Sequence, residues 1–356
     1  TADRFARLAL EATRRANEIE PQLTFRFDRE TDPELMSLAY DVIGEGRTFP
    51  MLYNDRVNVP AVEKAFRVPR AEAEQYVPLG CGEYVLERRS LGTPNGVINL
   101  LKGLEAAIHE GTETCATFED LWDAYREQVE AKIAALAEQQ VLGNRALAED
   151  APLLLLGLLF HDCLAEGRPL LDGGARYVGG TLETYGNISA ADSLAAIRDV
   201  VYERKALSPG RLRQALRADF EGFERERSLL RQVPKYGNDD DRADAMAVRV
   251  HEHVCRLTAA QAERFGLHSY LVVIINNHAN SVLGGHTGAS ADGRRAGEPM
   301  SNANNPTSGN DRSGVTAFLR SLLRLDPSIH AGAVQNLKFG KEMFGPRRPR
   351  LEALLD

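Results

Sequence analysis

Gly80-Cys81-Gly82-Glu83 sets a thiol and a carboxylate two residues apart, among glycines. A glycine on each side of a cysteine permits unusual backbone angles and close approach of a substrate. In an extended segment residues i and i+2 point the same way, so Cys81 and Glu83 would face one pocket as a sulfur centre beside a carboxylate base. The same four residues also suit a turn around a buried cysteine, and spacing alone favours that plainer role.

Three other constellations invite chemistry less strongly. Gly285–Pro299 (GHTGASADGRRAGEP) has the composition of a phosphate cradle without the order of a P-loop, and a structural loop held by Arg294 and Asp292 is the simpler reading. His251 and Cys255 share a helical face while His253 points elsewhere, and no further ligand has metal-site spacing, so core and surface roles are expected. Asp239-Asp240-Asp241 would dress a helix N-terminus capped by Asn238 rather than bind a cation. No G-x-S-x-G elbow and no H-E-x-x-H occurs, which lowers serine hydrolase and zincin readings.

The elements that must position these residues follow from periodicity. A helical stripe covers residues 1–19, and Leu23, Phe25 and Phe27 alternate as a short strand. Asp32-Pro33-Glu34 has cap, N1 proline and first-turn acid in order, opening a helix that ends near Gly44 or Gly46. Short helical patterns lie near 60–66 and 69–76. Longer ones are expected at about 96–110, 117–142 and 150–165, the last apolar all round and therefore buried. Residues 173–186 read as a glycine-rich loop. Helices resume at about 189–204, 208–218 and 219–231, and another starts after Asn238-Asp239-Asp240-Asp241 and runs to about 264. Residues 268–276 (HSYLVVIIN) are the best strand, with either Ser269 and Leu271 or Tyr270 and Val272 facing a pocket. A long loop at 284–314, a helix at 315–324 and a strand around 333–339 complete the pattern, with no repeat and no clear linker.

The 356 residues carry 43 Lys+Arg against 51 Asp+Glu, a net charge of −8, which argues against nucleic acid or an anionic membrane as main partner. Hydrophobic residues at 43% and charged residues at 26% are ordinary for a globular chain and exclude disorder, collagen and a coiled-coil rod. The longest apolar run, Ala151–Phe160, is too short for a bilayer, and no signal peptide opens the chain. Four widely spaced cysteines fit reduced thiols in a cytosol. The chain starts within a helical pattern at Thr1 and stops within another at Asp356, which reads as part of a longer polypeptide.

Taken together, Pro50–Asp55 (PMLYND), Gly80–Glu83, Asn99–Glu105 (NLLKGLE), Asp192–Ile197 (DSLAAI), Pro234–Asp239 (PKYGND), Thr287–Pro299, Gly309-Asn310-Asp311 and Val334–Phe339 (VQNLKF) form a collinear series that resembles the glycyl radical enzymes, the pyruvate formate-lyase family. The resemblance spans roughly residues 20–344. It implies a helix-rich α/β fold, part of a ten-stranded barrel of two half-sheets, with residues 1–356 as one barrel domain. It also implies a cysteine loop entering one end of the barrel and a radical glycine entering the other.

Carried over, Cys81 is the thiyl that takes hydrogen from a substrate carbon, and Glu83 is the base that takes a hydroxyl proton in the dehydratase and lyase branches. The cofactor is a glycyl radical, installed by a radical S-adenosylmethionine activating enzyme; no bound metal is implied. Expected partners are a small polar substrate and that activating enzyme, with a cytoplasmic homodimer as the full-length form. Gly80 stands where pyruvate formate-lyase has a second cysteine, so formate–acetyl transfer does not follow, and Tyr84 stands where many dehydratases have proline. The R-V-x-G-[YF] radical loop is missing, and Arg176–Gly180 only echoes it; the N-terminal half-barrel is also missing. The alternative is a non-catalytic or split homologue, serving in assembly or needing a separate glycine-bearing partner.

Overall fold

The computed structural model describes residues 2–91, 94–111, 115–275 and 277–355. They pack as two compact units, residues 1–61 with 336–356, and residues 62–335.

In the first unit, strands β1 (Thr24–Phe27) and β2 (Met51–Asn54) pair in parallel, Thr24 opposite Met51. Helices Ala2–Ala16 and Pro33–Gly44 pack with them, and Leu10, Phe25, Leu35 and Ala39 form the core. Asp32 caps the second helix as the sequence implies, its carboxylate accepting the Glu34 N–H at 2.9 Å. Arg348, at the start of helix Arg348–Leu355, pairs with Asp41 and donates to Ser37 Oγ at 2.9 Å.

The second unit holds the chemistry. Strands β3 (Tyr76–Leu79) and β4 (Glu83–Leu86) form an antiparallel hairpin. Strands β5 (Pro94–Asn99), β6 (Gly180–Tyr185) and β7 (Tyr270–Val273) form a parallel sheet with β6 in the middle. Parallel neighbours require long crossovers. Helices Leu100–Gly111 and Phe118–Asp150 lie between β5 and β6; helices Asn187–Ile197 and Asp241–Phe265 lie between β6 and β7. Thr184, Val272 and Ile274 turn towards these helices and meet Ile188, Val250 and Val254. Alternation then sends Thr181, Glu183 and Tyr185 to the other face, together with their register partners Leu271 and Val273 on β7 and Val97 on β5, which is 45% exposed.

Residues 331–334 run beside β7. Ala331 N–H donates to Val272 O (2.8 Å), Ile274 N–H to Gly332 O (3.0 Å) and Val334 N–H to Ile274 O (3.0 Å). On the other side Tyr84 N–H donates to Ala331 O at 2.8 Å, which ties the hairpin to the sheet.

Several sequence expectations change. No closed barrel forms among the described residues; the seven strands make three small sheets. The loop expected at 173–186 contains β6: Gly179 and Gly180 are there because a Cβ would meet Ser269 O at 2.7 Å and the Tyr270 ring at 2.9 Å, so glycines mark close packing rather than a loop. The helix expected from 96 starts at Leu100, after β5. The helix expected over 117–142 runs on to Asp150. The buried helix expected at 150–165 is replaced by single turns at Leu154–Gly157 and Cys163–Glu166, with Leu154, Leu155, Leu158 and Leu159 exposed. Pro152 and Gly157 interrupt the run before it can form a packing face. The strand expected around 333–339 reduces to one bridge, Ala333 to Ile274. Asn276, at the end of the expected strand 268–276, lies outside the described residues. No helix among the described residues is long and apolar enough to cross a membrane.

Candidate active site

The turn of the β3–β4 hairpin is Gly80-Cys81-Gly82, with Leu79 opposite Glu83. Gly80 has φ +54° and Gly82 φ +125°, the second far from what a side chain tolerates. The segment is therefore a turn, not the extended stretch on which the i, i+2 argument rested. The turn still brings the two groups together, because the Glu83 carboxylate curls back over Gly80, both oxygens 3.3 Å from where a Gly80 Cβ would sit.

Cys81 is half-buried at the tip of the turn, and all four cysteines are free. Burial pushes its thiol above the usual range, and the charges of Glu83 and Glu183 push it further. Glu83 is buried, and one of its oxygens, Oε2, has no hydrogen-bond partner. Burial raises its carboxyl; the amides of Glu83, Cys81 and Gly82 oppose the shift, and Glu183 adds to it.

Glu183 and Tyr185 come from β6 and were not singled out in the sequence. The Tyr185 hydroxyl lies 2.5 Å from Glu183 Oε2 and 3.0 Å from Asn277 Oδ1. Burial raises the Glu183 carboxyl, and the Tyr185 hydroxyl opposes that shift. Burial, then the Glu183 contact, raises the Tyr185 phenol. The alternation Thr181, Glu183, Tyr185 was the available signal; it was hidden once the glycines around it were read as loop. Of the two faces offered for β7, the one with Ser269 and Leu271 shares the side of Glu183.

A third glycine fixes the turn from below. Gly332 has φ +124°, and a Cβ there would lie 2.0 Å from Gly82 O. Its N–H donates to Nδ1 of the buried His330 at 3.0 Å. Burial, helped by His251, lowers the His330 pKa to about 3, so this nitrogen stays an acceptor. The unfolded chain then binds the extra proton between about pH 6.5 and 3, and this contribution to stability falls as pH drops through that window. His330→Gln should flatten the acid limb of a denaturant-derived stability profile by up to about 1.4 kcal/mol per pH unit; an unchanged slope would contradict the buried neutral imidazole.

The other sequence candidates are structural. Arg294 is buried and donates to the carbonyls of Arg295 (2.9 Å) and Glu298 (2.7 Å) and to Ser290 Oγ (3.1 Å), while Asp292 accepts from Ser290 Oγ at 2.6 Å. Cys255 and His251 lie in the core, the sulfur 4.0 Å from Nδ1. Helix Asp241–Phe265 is capped by Asp240, not Asn238, whose amide instead donates to Lys235 O and Asn310 O. Among the described residues no group of three or more His, Cys, Asp or Glu is placed to hold a metal ion.

The pyruvate formate lyase-like family model matches residues 2–283. The chain is 29% identical over 94% of its length to (2S)-3-sulfopropanediol dehydratase of Klebsiella oxytoca, covering 43% of that protein. It is 26% identical over 90% of its length to trans-4-hydroxy-L-proline dehydratase of Clostridioides difficile, covering 42%. It superposes on the glycerol-bound B12-independent glycerol dehydratase of Clostridium butyricum with TM-score 0.92 and 28% identity, over 98% of this chain and 46% of that one. The chain thus spans less than half the length of these relatives, and its helix-rich α/β structure matches part of their fold. With collinear sequence blocks, matching topology and a family model covering most of its length, this chain belongs to the pyruvate formate lyase-like family of glycyl radical enzymes, in the dehydratase and lyase branch.

Proposed function

We propose that this chain carries the sulfur and the base of a glycyl radical dehydratase or lyase, and that residues 1–356 belong to one barrel domain of a longer, homodimeric enzyme. The observation that carries the reading is the pairing of Cys81 with Glu83 in one glycine turn, the carboxylate buried with a free oxygen. A glycyl radical, made by a radical S-adenosylmethionine activating enzyme, would supply the one-electron oxidation of the Cys81 thiol. The residues fit that group. A cysteine nucleophile works as thiolate and needs a lowered pKa; burial, first, and then the Glu83 carboxylate hold Cys81 as S–H, the form with a hydrogen atom to give. The thiyl takes a hydrogen atom from a substrate carbon, and Glu83 removes the proton of a hydroxyl on that carbon. The resulting radical expels a neighbouring group, then recovers a hydrogen atom from Cys81. The substrate is a small polar molecule such as a diol, an amino alcohol or a hydroxylated acid.

The test uses the full-length polypeptide, activated anaerobically, with propane-1,2-diol deuterated on the terminal carbinol as probe. Deuterium should reappear on the neighbouring carbon of the aldehyde. Turnover without hydrogen transfer would overturn the reading. Glu83→Gln should keep the radical, measured by electron paramagnetic resonance, and lose about 10²–10⁴-fold in turnover, the usual worth of a general base.

A further inference from the structure

The hydroxyl of Tyr185 makes two short contacts and owns one proton. Its neighbours are Glu183 Oε2 at 2.5 Å and Asn277 Oδ1 at 3.0 Å. Asn277 cannot supply the second proton by flipping its amide, because Oδ1 also accepts the Ala279 N–H at 2.8 Å. An amide N–H needs an acceptor, so that atom is oxygen. Three oxygens in a row then need two protons, and only Glu183 can bring the other. With Glu183 protonated, its O–H serves Tyr185 and the Tyr185 O–H serves Asn277, and both contacts are hydrogen bonds.

The surroundings agree. Around Glu183 stand Cys81 and Glu83 from the hairpin and Tyr185 from its own strand, while its register neighbours on β5 and β7 are Val97 and Val273. No cation balances it among the described residues. Two carboxylates in one partly dry space do not both stay charged. Glu83 has three backbone amides that favour its anion; Glu183 has only the Tyr185 hydroxyl, whose single proton goes to Asn277 Oδ1 once Glu183 carries its own. A neutral Glu183 also removes the charge that pushes Glu83 towards protonation, so the two settle as one acid and one base.

We propose that Glu183 is the catalytic acid of this site, protonating the leaving oxygen while Glu83 deprotonates the hydroxyl on the neighbouring carbon. The proposal rests on the radical reading above and deepens it. The balance is as follows. The Cys81 thiyl takes a hydrogen atom from the carbinol carbon, and Glu83 takes that carbinol's hydroxyl proton. The adjacent C–O bond breaks, its electron pair leaving with oxygen, and the Glu183 proton completes water. The carbon radical then takes the hydrogen atom back from Cys81. Glu83 has gained one proton and Glu183 has lost one, and water in the site returns it. Sulfite leaves as a stable anion and an ammonium group already carries its proton, so neither needs this acid; a hydroxyl does, and the acid marks a dehydratase. Tyr185 is a positioning residue that holds the acid towards Asn277.

Two measurements on the full-length polypeptide test this. In infrared difference spectra at pH 7, Glu183→Gln should remove a carboxylic acid carbonyl band, Glu83→Gln should retain it, and Tyr185→Phe should shift it. No band in the wild type, or one that vanishes with Glu83 instead, overturns the proposal. In the activated enzyme with the deuterated propanediol, Glu183→Gln should lower water release by about 10²–10⁴-fold while deuterium still washes from recovered diol into solvent through Cys81. Unimpaired dehydration by Glu183→Gln overturns the acid role alone. The absence of both turnover and washout in the wild type defeats the diol radical reading, and this proposal with it.

Discussion

Cys81→Ser in the full-length, activated polypeptide is expected to abolish turnover while leaving the glycyl radical signal intact. The two side chains have nearly the same shape, and Cys81 is only half-buried in a turn, so the fold should survive: Tm should move little. What changes is the bond. An O–H bond is much stronger than an S–H bond, so a serine cannot be oxidised by a carbon radical that a thiol can meet nearly evenly. The hydrogen atom on the substrate is then never reached. Electron paramagnetic resonance should show the radical persisting with substrate present, with no product and no deuterium transfer. Retained turnover in the serine variant would defeat the thiyl assignment; the other cysteines of this chain, Cys115, Cys163 and Cys255, are buried.

Local order in this chain was legible where one side of the chain decides it. The cap at Asp32-Pro33-Glu34 needs only its own residues, and it forms as written. The segment 268–276 is apolar and β-branched, which marks a strand from its own residues, and β7 forms inside it, buried on both faces. The extended stretch expected to align Cys81 with Glu83 does not form; the turn around the cysteine, which spacing alone favoured, does. The segment is not extended, and the two groups meet because a three-residue turn folds Glu83 back over Gly80. That geometry depends on Gly332, some 250 positions on, which no local pattern reveals. The same blindness hid β6. Gly179 and Gly180 look like loop residues until Ser269 and Tyr270 are known to press against them, and with β6 went Glu183 and Tyr185. The resemblance carried Cys81 and Glu83 because it compares positions; it carried nothing for Glu183, which the packed sheet alone brings to that side.

The dependence on Gly332 yields the largest expected structural effect. Gly332→Ala should cost about 2–6 kcal/mol in denaturant unfolding, and turnover should fall by far more than the lost fraction of folded protein. Two terms add. A φ of +124° is territory that only glycine occupies freely, worth ~1–3 kcal/mol for a side-chain residue. The new Cβ would also stand 2.0 Å from Gly82 O, a backbone atom on a tethered turn rather than a flexible side-chain end, and overpacking costs ~1–3 kcal/mol more. Relief requires the turn to lift, and Gly82 has little room to yield, because a Cβ of its own would already lie 2.3 Å from Val334 Cγ2. Lifting the turn moves Cys81 and Glu83 together away from Glu183, and a displacement of about 1 Å at a reacting centre costs on the order of 10²-fold in rate. Gly266→Ala is the matched control, with φ +67° and nothing within 4 Å of its Cβ. It should show only the backbone cost of about 1 kcal/mol and unchanged turnover per folded molecule. If Gly332→Ala behaved like Gly266→Ala in both measurements, the turn would not be held by that glycine, and the sulfur would owe its position to something other than the close approach of the two chains.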